Sequence, residues 1–249
     1  MDFRVILSGI IGLVPALLLL WFTLRMYDKP YVDMTFFDDR KVFIAFAAGI
    51  VFGIAAAVIY SLVMRPVDVL SAFFLAALLF VFEEMFKFVF LNFKSFLQKP
   101  DTPFYGVSLG LGIASSFVLL NVYLQVIQEV TVIIFALLVI YSVMMSLLHC
   151  STGALIGYGS SRGTPWTYLA EAMIIRFFMA IALLPVLMAR IFPTETWFYW
   201  LYAASIVATL VISAVVYYHV YTSVLPRVLP EVARRRQRLK SRKVRKGKA

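Results

Sequence analysis

Charged residues are scarce in this chain of 249 residues. Asp, Glu, Lys and Arg make up 14% of it, 63% is hydrophobic, and the mean hydropathy is +0.92. A soluble globular domain carries about 25% charged residues. The composition therefore excludes an ordinary soluble enzyme or binding domain and indicates a polytopic membrane protein.

Cysteine and histidine are also rare. The single cysteine, Cys150, excludes an intrachain disulfide, and its place in an apolar run predicts a buried core thiol. Of the two histidines, His219 lies among tyrosines near the end of the last apolar run, a pattern typical of a lipid interface. His149 is therefore the histidine to consider for chemistry.

Seven apolar runs are long enough to cross a bilayer, which takes about 20 residues. Lipid cannot hydrogen-bond open backbone groups, so each run is expected to be a helix. We therefore predict an all-α, polytopic integral membrane bundle of about seven transmembrane helices in residues 1–226. The predicted spans are Val5–Met26, Val42–Met64, Asp68–Asn92, Phe104–Ile127, Val130–Gly157, Thr167–Ile191 and Trp197–Thr222.

The net charge of +10 is confined to the C-terminus. From Pro226 onward there are 11 Lys or Arg and one acid, Glu231, which gives 11 − 1 = +10. Residues 227–249 are predicted to be a cytoplasmic polybasic tail that contacts anionic lipid headgroups. Without interleaved aromatic residues, the tail gives little support for binding to nucleic acid. The basic loops after the first, third and fifth spans would share its side, which places the N-terminus outside.

Three ionisable residues lie inside the third apolar run: Glu83, Glu84 and Lys87. A charge at the centre of a spanning helix costs at least ~2.5–3.5 kcal/mol, so these groups are expected to face a protein interior and to be functional. The spacing of four residues predicts that Glu83 and Lys87 pair on one helix face. Glu84 points about 100° away and is then available as a general base or a metal ligand.

Other polar residues are predicted at a similar depth. With the expected topology, His149 lies in the cytoplasmic half of the fifth span, Arg176 lies nearer the middle of the sixth, and Glu171 lies just below the cytoplasmic face. We therefore expect one buried polar site built from Glu83, Glu84, Lys87 and His149, with Glu171 and Arg176 as neighbours.

Small residues flank this site in sequence. Gly106, Gly110 and Ala114 open the fourth span, and a second small-residue segment, containing Gly153 and Gly157, follows His149. Such spacing predicts close packing of two helix backbones.

These motifs resemble those of the PrsW family, polytopic membrane peptidases related to the CAAX-processing and bacteriocin-processing proteins. Glu83-Glu84-x-x-Lys87 resembles the family's EExxK motif, and the segment 105–114 resembles its glycine-rich segment. His149 followed by Gly157 resembles its histidine motif. The resemblance covers roughly residues 79–159, about a third of the chain, and would make residues 66–192 a PrsW-like core.

The resemblance implies a peptidase of a prokaryotic cytoplasmic membrane that acts on membrane-anchored protein substrates near the cytoplasmic face. It would assign Glu83 or Glu84 as the base or a ligand and His149 as a ligand or oxyanion partner, with Lys87 tuning the pair. Zinc or another divalent metal would be held by Glu84 and His149.

The chain also departs from the family. The Glu-Asn pair expected after the glycine-rich segment reads Phe117-Val118, and the sixth span has Glu171 and Arg176 but no histidine. A catalytic zinc takes three protein ligands and an open position. An arginine paired with the carboxylates would satisfy their charge without a metal.

Two hypotheses therefore stay open. A membrane peptidase, impaired by these departures, predicts a divalent metal at the Glu/His cluster. A non-catalytic relative with the same fold, which binds or shields membrane partners, predicts that Arg176 pairs with a carboxylate and fills the site.

Overall fold

The computed structural model of the protein describes residues 3–28, 32, 35–64, 68–124, 131–188 and 196–229. These residues contain seven long helices and no strand, which confirms the predicted all-α bundle. Each helix is long and apolar enough to cross a membrane, so the chain is an integral membrane protein. The helices are α1 (Phe3–Arg25), α2 (Asp39–Val63), α3 (Val69–Leu91), α4 (Thr102–Leu124), α5 (Val132–Arg162), α6 (Pro165–Met188) and α7 (Thr196–His219). The polybasic tail lies outside the described residues.

Helix α4 is the centre of the bundle. It is 72% buried over its most apolar window, against 17–50% for the other spans. Helices α1 and α2 reach its backbone through glycines: Gly12 of α1 lies against Leu119, and Gly49 of α2 lies against Gly112. Side chains at these glycines would overlap α4, so the small residues set the helix spacing.

Helices α4 and α5 make the contact that positions His149. Gly106 of α4 faces Gly153 of α5, and Gly110 lies against the backbone carbonyl of His149. This contact confirms that the two small-residue segments pack together.

Helix α5 is longer than predicted. It continues past Gly157 to Arg162 and ends at Gly163, which has a left-handed φ of +76°. Only two residues then separate α5 from α6, which begins at Pro165. Residues 158–162, which lie beyond the predicted span, are thus helical, because Gly157 packs directly against the start of α4 and the helix continues through it.

Helix α7 ends earlier than predicted, at His219 rather than Thr222. A π-helical turn (Val220–Val224) and a 3-10 turn (Leu225–Val228) follow it. Pro226 lacks the backbone N–H that a continuing α-helix would need.

Two helices contain an internal proline, and in each a serine from a neighbouring helix bonds the backbone nearby. Pro15 cannot donate to the carbonyl of Ile11, and the Ser142 hydroxyl of α5 donates to that carbonyl at 2.5 Å. In α6, Pro185 frees the carbonyl of Ile181, and the Ser205 hydroxyl of α7 donates to the neighbouring Ala182 carbonyl. A backbone carbonyl that loses its helical donor inside a membrane protein needs another hydrogen-bond donor, and Ser142 supplies one to Ile11.

The basic connections predicted to share one side of the membrane meet at one end of the bundle. The Asp38 N–H, before α2, donates to the Tyr105 hydroxyl at 3.0 Å. The Gln98 N–H, between α3 and α4, donates to the Ser160 carbonyl at 3.1 Å. The chain after α7 reaches the same end, where Arg162 donates to the Arg227 carbonyl at 3.3 Å.

Candidate functional site

Helix α3 carries the three ionisable residues into the bundle. The helix begins at a capping box in which the Ser71 N–H donates to the Asp68 carboxylate at 2.6 Å. This backbone hydrogen bond lowers the pKa of the exposed Asp68 carboxyl. Further along, Glu83, Glu84 and Lys87 are 3%, 0% and 0% exposed. The predicted inward orientation is therefore confirmed.

Glu84 is the centre of the site. Its Oε1 atom accepts hydrogen bonds from Lys87 Nζ at 2.7 Å and from Arg176 Nε at 2.7 Å. Thr152 Oγ1 of α5 donates to the same oxygen at 3.2 Å and also accepts from Lys87 Nζ at 2.7 Å. One carboxylate oxygen thus joins α3, α5 and α6.

Arg176 bridges the remaining polar groups. Its Nη2 atom donates to Glu83 Oε2 and lies 3.0 Å from His149 Nε2, which can only accept from a guanidinium. His149 Nε2 is 3.8 Å from the same Glu83 oxygen. The guanidinium also lies over the Phe80 ring, 4.7 Å from its centroid. We call Glu83, Glu84, Lys87, His149, Thr152 and Arg176 the intramembrane cluster.

The predicted pairing within α3 is wrong in one respect. Lys87 pairs with Glu84, three residues before it, rather than with Glu83. Thr152 accepts a hydrogen bond from the Lys87 ammonium group and holds it next to Glu84, and Arg176 pairs with Glu83. Glu84 is consequently bound by two cations.

Glu171 is not part of the cluster. It is half-buried, and no hydrogen bond or ion pair among the described residues joins it to Glu84 or His149. It precedes Arg176 by five residues, which turns it about 140° around the helix from that side chain.

The formal charges of the cluster balance. Apart from His149, it holds two carboxylates and two cations, and all four groups are buried. Two of its buried side-chain atoms have no hydrogen-bond partner among the described residues: the acceptor Glu84 Oε2 and the donor Arg176 Nη1. Charges removed from water need such mutual pairing to persist in a low-dielectric interior.

The donor set does not fit the metal that the PrsW resemblance implies. Zinc needs three protein ligands with lone pairs directed at one point, but Arg176 donates to both glutamates and faces the His149 ring. Among the described residues, no group of three or more His, Cys, Asp or Glu side chains is arranged to bind a metal ion. The guanidinium occupies the position between the candidate ligands.

Phe117, at the position where the PrsW resemblance implies a glutamate, makes an apolar contact. It is 5% exposed, and its ring packs edge-on against Tyr60 of α2 with centroids 5.6 Å apart. Cys150 is buried, as predicted, and His219 is exposed at the end of α7.

Sequence reasoning missed Thr152. It is three residues after His149, so both lie on one face of α5. The spacing of three residues from His149 was the signal that could have placed Thr152 in the site. A threonine in a spanning helix usually bonds its own backbone, so this spacing alone did not indicate a contact with Lys87 or Glu84.

Comparisons of the chain with protein-family models, with curated proteins and with solved structures gave no match.

Proposed function

We propose that this protein is a PrsW-type membrane protein that binds a membrane partner without cleaving it, and that its intramembrane cluster is a structural ion network. The observation that carries the proposal is the placement of Arg176, which bonds Glu83 and Glu84 and faces His149. These are the side chains that a peptidase would need for a metal or for water activation. In this chain they bind a fixed cation.

The orientation belongs to the same proposal. The basic loops lie at one end of the bundle, and we place that end and the polybasic tail in the cytoplasm. The cluster then lies in the cytoplasmic half, with anionic lipid headgroups near the tail.

A binding role is compatible with the surface of α7. The span Trp200–Val228 includes most of α7, and only 17% of its most apolar window is buried within the described chain, the lowest share of the seven spans. Trp200 and Tyr218, near its two ends, are 78% and 70% exposed. Amphipathic aromatic side chains anchor helices at the two faces of a bilayer, which leaves the apolar stretch between them for lipid or for a partner helix.

A second candidate is a metal-independent peptidase, and one observation favours it. Glu84 Oε2 and Arg176 Nη1 are a buried acceptor and a buried donor in one cluster, neither with a protein partner. A water bound to both would lie next to a carboxylate base. Arg176 would then stabilise the developing negative charge.

Comparing protein termini in membranes separates the two. Membranes from cells with the wild-type chain, with no chain and with Glu84→Gln would be profiled for new N- and C-termini. For a binding protein we expect the same set of termini in all three membrane samples. We also expect the abundance or location of one membrane protein to differ between cells with and without the chain. A cleaved species that is absent from both the deletion and the Glu84→Gln cells would overturn the proposal and establish a peptidase.

A further inference from the structure

An apolar groove of about 570 Å³ runs between α1 and α5, away from the intramembrane cluster. Ile10, Val14 and Leu18 line it on α1, and Val139 and Val143 line it on α5. Ile10 and Leu18 are 51% and 60% exposed, so the groove opens toward the lipid.

The length of the groove matches one lipid chain. On α1 its lining runs from Ile10 to Phe22, a difference of 12 residues or about 18 Å at 1.5 Å per residue. The hydrocarbon core of a bilayer is about 30 Å thick, so one acyl chain covers about 15 Å. A chain from one leaflet would therefore fill the groove along its length.

An arginine stands at one end of the groove. Phe22 lines the groove, and the Arg25 guanidinium lies over the rings of Phe22 and Trp21, 4.7 Å and 4.6 Å from their centroids. The Nε atom of Arg25 is buried and has no hydrogen-bond partner among the residues that the structure describes. Arg25 is in the last turn of α1, at the end of the bundle that carries the basic loops. A guanidinium that lies over aromatic rings and has an N–H without a described partner suits a phosphate group.

A second buried polar atom lies on the groove wall. Ser146 of α5 is 1% exposed, and its Oγ atom has no hydrogen-bond partner in the described part of the chain. Replacing an unpartnered hydroxyl by an apolar group costs little stability. Ser146 therefore offers a site at which the groove can be narrowed without unfolding the bundle.

We propose that the groove binds one acyl chain of an anionic phospholipid and that Arg25 holds the phosphate of that lipid. The two parts of the site select different features of the ligand. The apolar walls of α1 and α5 select the chain, and Arg25 selects the negative headgroup at the membrane surface. This assignment does not depend on the function of the intramembrane cluster.

Native mass spectrometry of the detergent-purified full chain tests the proposal. Phosphatidylglycerol and phosphatidylcholine with identical acyl chains would be added separately, and the fraction of protein that retains one lipid would be measured. For the wild type we expect retention of one phosphatidylglycerol, with phosphatidylcholine retained about fivefold less, as expected for one arginine near a membrane surface.

Three variants, each compared with a control, locate the lipid. Arg25→Gln is expected to lower phosphatidylglycerol retention to the phosphatidylcholine level, whereas Arg40→Gln, which removes an exposed charge from the same end of the bundle, is expected to retain it. Ser146→Leu, which narrows the groove, is expected to lower the retention of both lipids. Val143→Phe, which narrows the groove from the same helix, is expected to do the same. The control for both is Val51→Trp, which enlarges a lipid-facing residue of α2 outside the groove.

Circular dichroism and melting temperature would establish that each variant is folded. Equal losses in Arg25→Gln and Arg40→Gln would mean that the attraction is diffuse and would overturn the headgroup site. Retention in Ser146→Leu and Val143→Phe equal to that in Val51→Trp would overturn the groove as the chain site.

Discussion

Arg176 Nε lies 2.7 Å from Glu84 Oε1, although 92 residues separate the two side chains. The pair joins α6 to α3, and through Thr152 it reaches α5. The same guanidinium binds Glu83 and faces His149. The residues with the strongest resemblance to a peptidase motif are therefore held together by a side chain that this motif does not include.

Removing Arg176 is expected to destabilise the bundle. Arg176→Met leaves Glu83 and Glu84 with only Lys87 as a counter-charge, and breaking a buried pair typically costs about 3–5 kcal/mol. The measurement is the free energy of unfolding in mixed micelles. Arg40→Met, at an exposed arginine of α2, is the control and should change the free energy by less than about 0.5 kcal/mol.

A second substitution shows whether charge balance is the cause. In Arg176→Met/Glu83→Gln the cluster keeps one carboxylate and one cation, the Glu84–Lys87 pair. We expect the double variant to be more stable than Arg176→Met alone. If the double variant is less stable than the wild type by the sum of the losses measured for Arg176→Met and Glu83→Gln alone, the ion-network interpretation is contradicted.

Chelation is expected to leave the protein unchanged. Because Arg176 occupies the position between Glu83, Glu84 and His149, the purified chain should contain no stoichiometric zinc, and its melting temperature should be the same with and without a chelator. His149→Ala should have the same metal content as the wild type. Near-stoichiometric zinc that disappears in His149→Ala would show that Arg176 moves aside for a metal.

The sequence predicted the membrane bundle well because the bilayer imposes one simple rule. Twenty apolar residues that must satisfy their own backbone have to form a helix, so seven runs predicted seven spans. The ends were less predictable: α5 runs past Gly157 because that glycine packs on α4, a contact between residues distant in sequence.

Five members of the site, Glu83, Glu84, Lys87, His149 and Arg176, were predicted from the sequence, but their pairing was not. Burial of charge in lipid is costly enough to identify Glu83, Glu84 and Lys87 as inward-facing, and depth alone brought in His149 and Arg176. The choice of Glu84 as the partner of Lys87 depends on Thr152. Thr152 belongs to α5, so the spacing of residues within α3 could not predict this pairing. Glu171 was included on depth alone, but its direction around α6 takes it away from the cluster.

Two glycine-to-alanine substitutions should distinguish the effect of α4–α5 packing on the free energy of unfolding from the general effect of alanine on helix stability. In Gly110→Ala the new methyl group would overlap the His149 carbonyl, and overpacking of this kind typically costs about 1–3 kcal/mol. It would also displace His149 from Arg176. Gly9→Ala in α1 meets no atom within 4 Å and is the control; a better helix former there should be neutral or stabilising. Equal unfolding free energies for the two variants would contradict the close contact.

The bond between Ser142 and the Ile11 carbonyl should matter only while Pro15 is present. Ser142→Ala leaves that carbonyl without a donor and is expected to cost about 1 kcal/mol of unfolding free energy. In a Pro15→Ala background, the new backbone N–H of residue 15 can bond the Ile11 carbonyl within α1, so the same substitution should cost close to nothing. A double-mutant cycle measured by unfolding in mixed micelles gives the coupling directly. Ser61→Ala, at an exposed serine that bonds its own helix, is the control and should cost the same in both backgrounds. An equal cost of Ser142→Ala with and without Pro15 would mean that the hydroxyl does not replace the donor that proline removes.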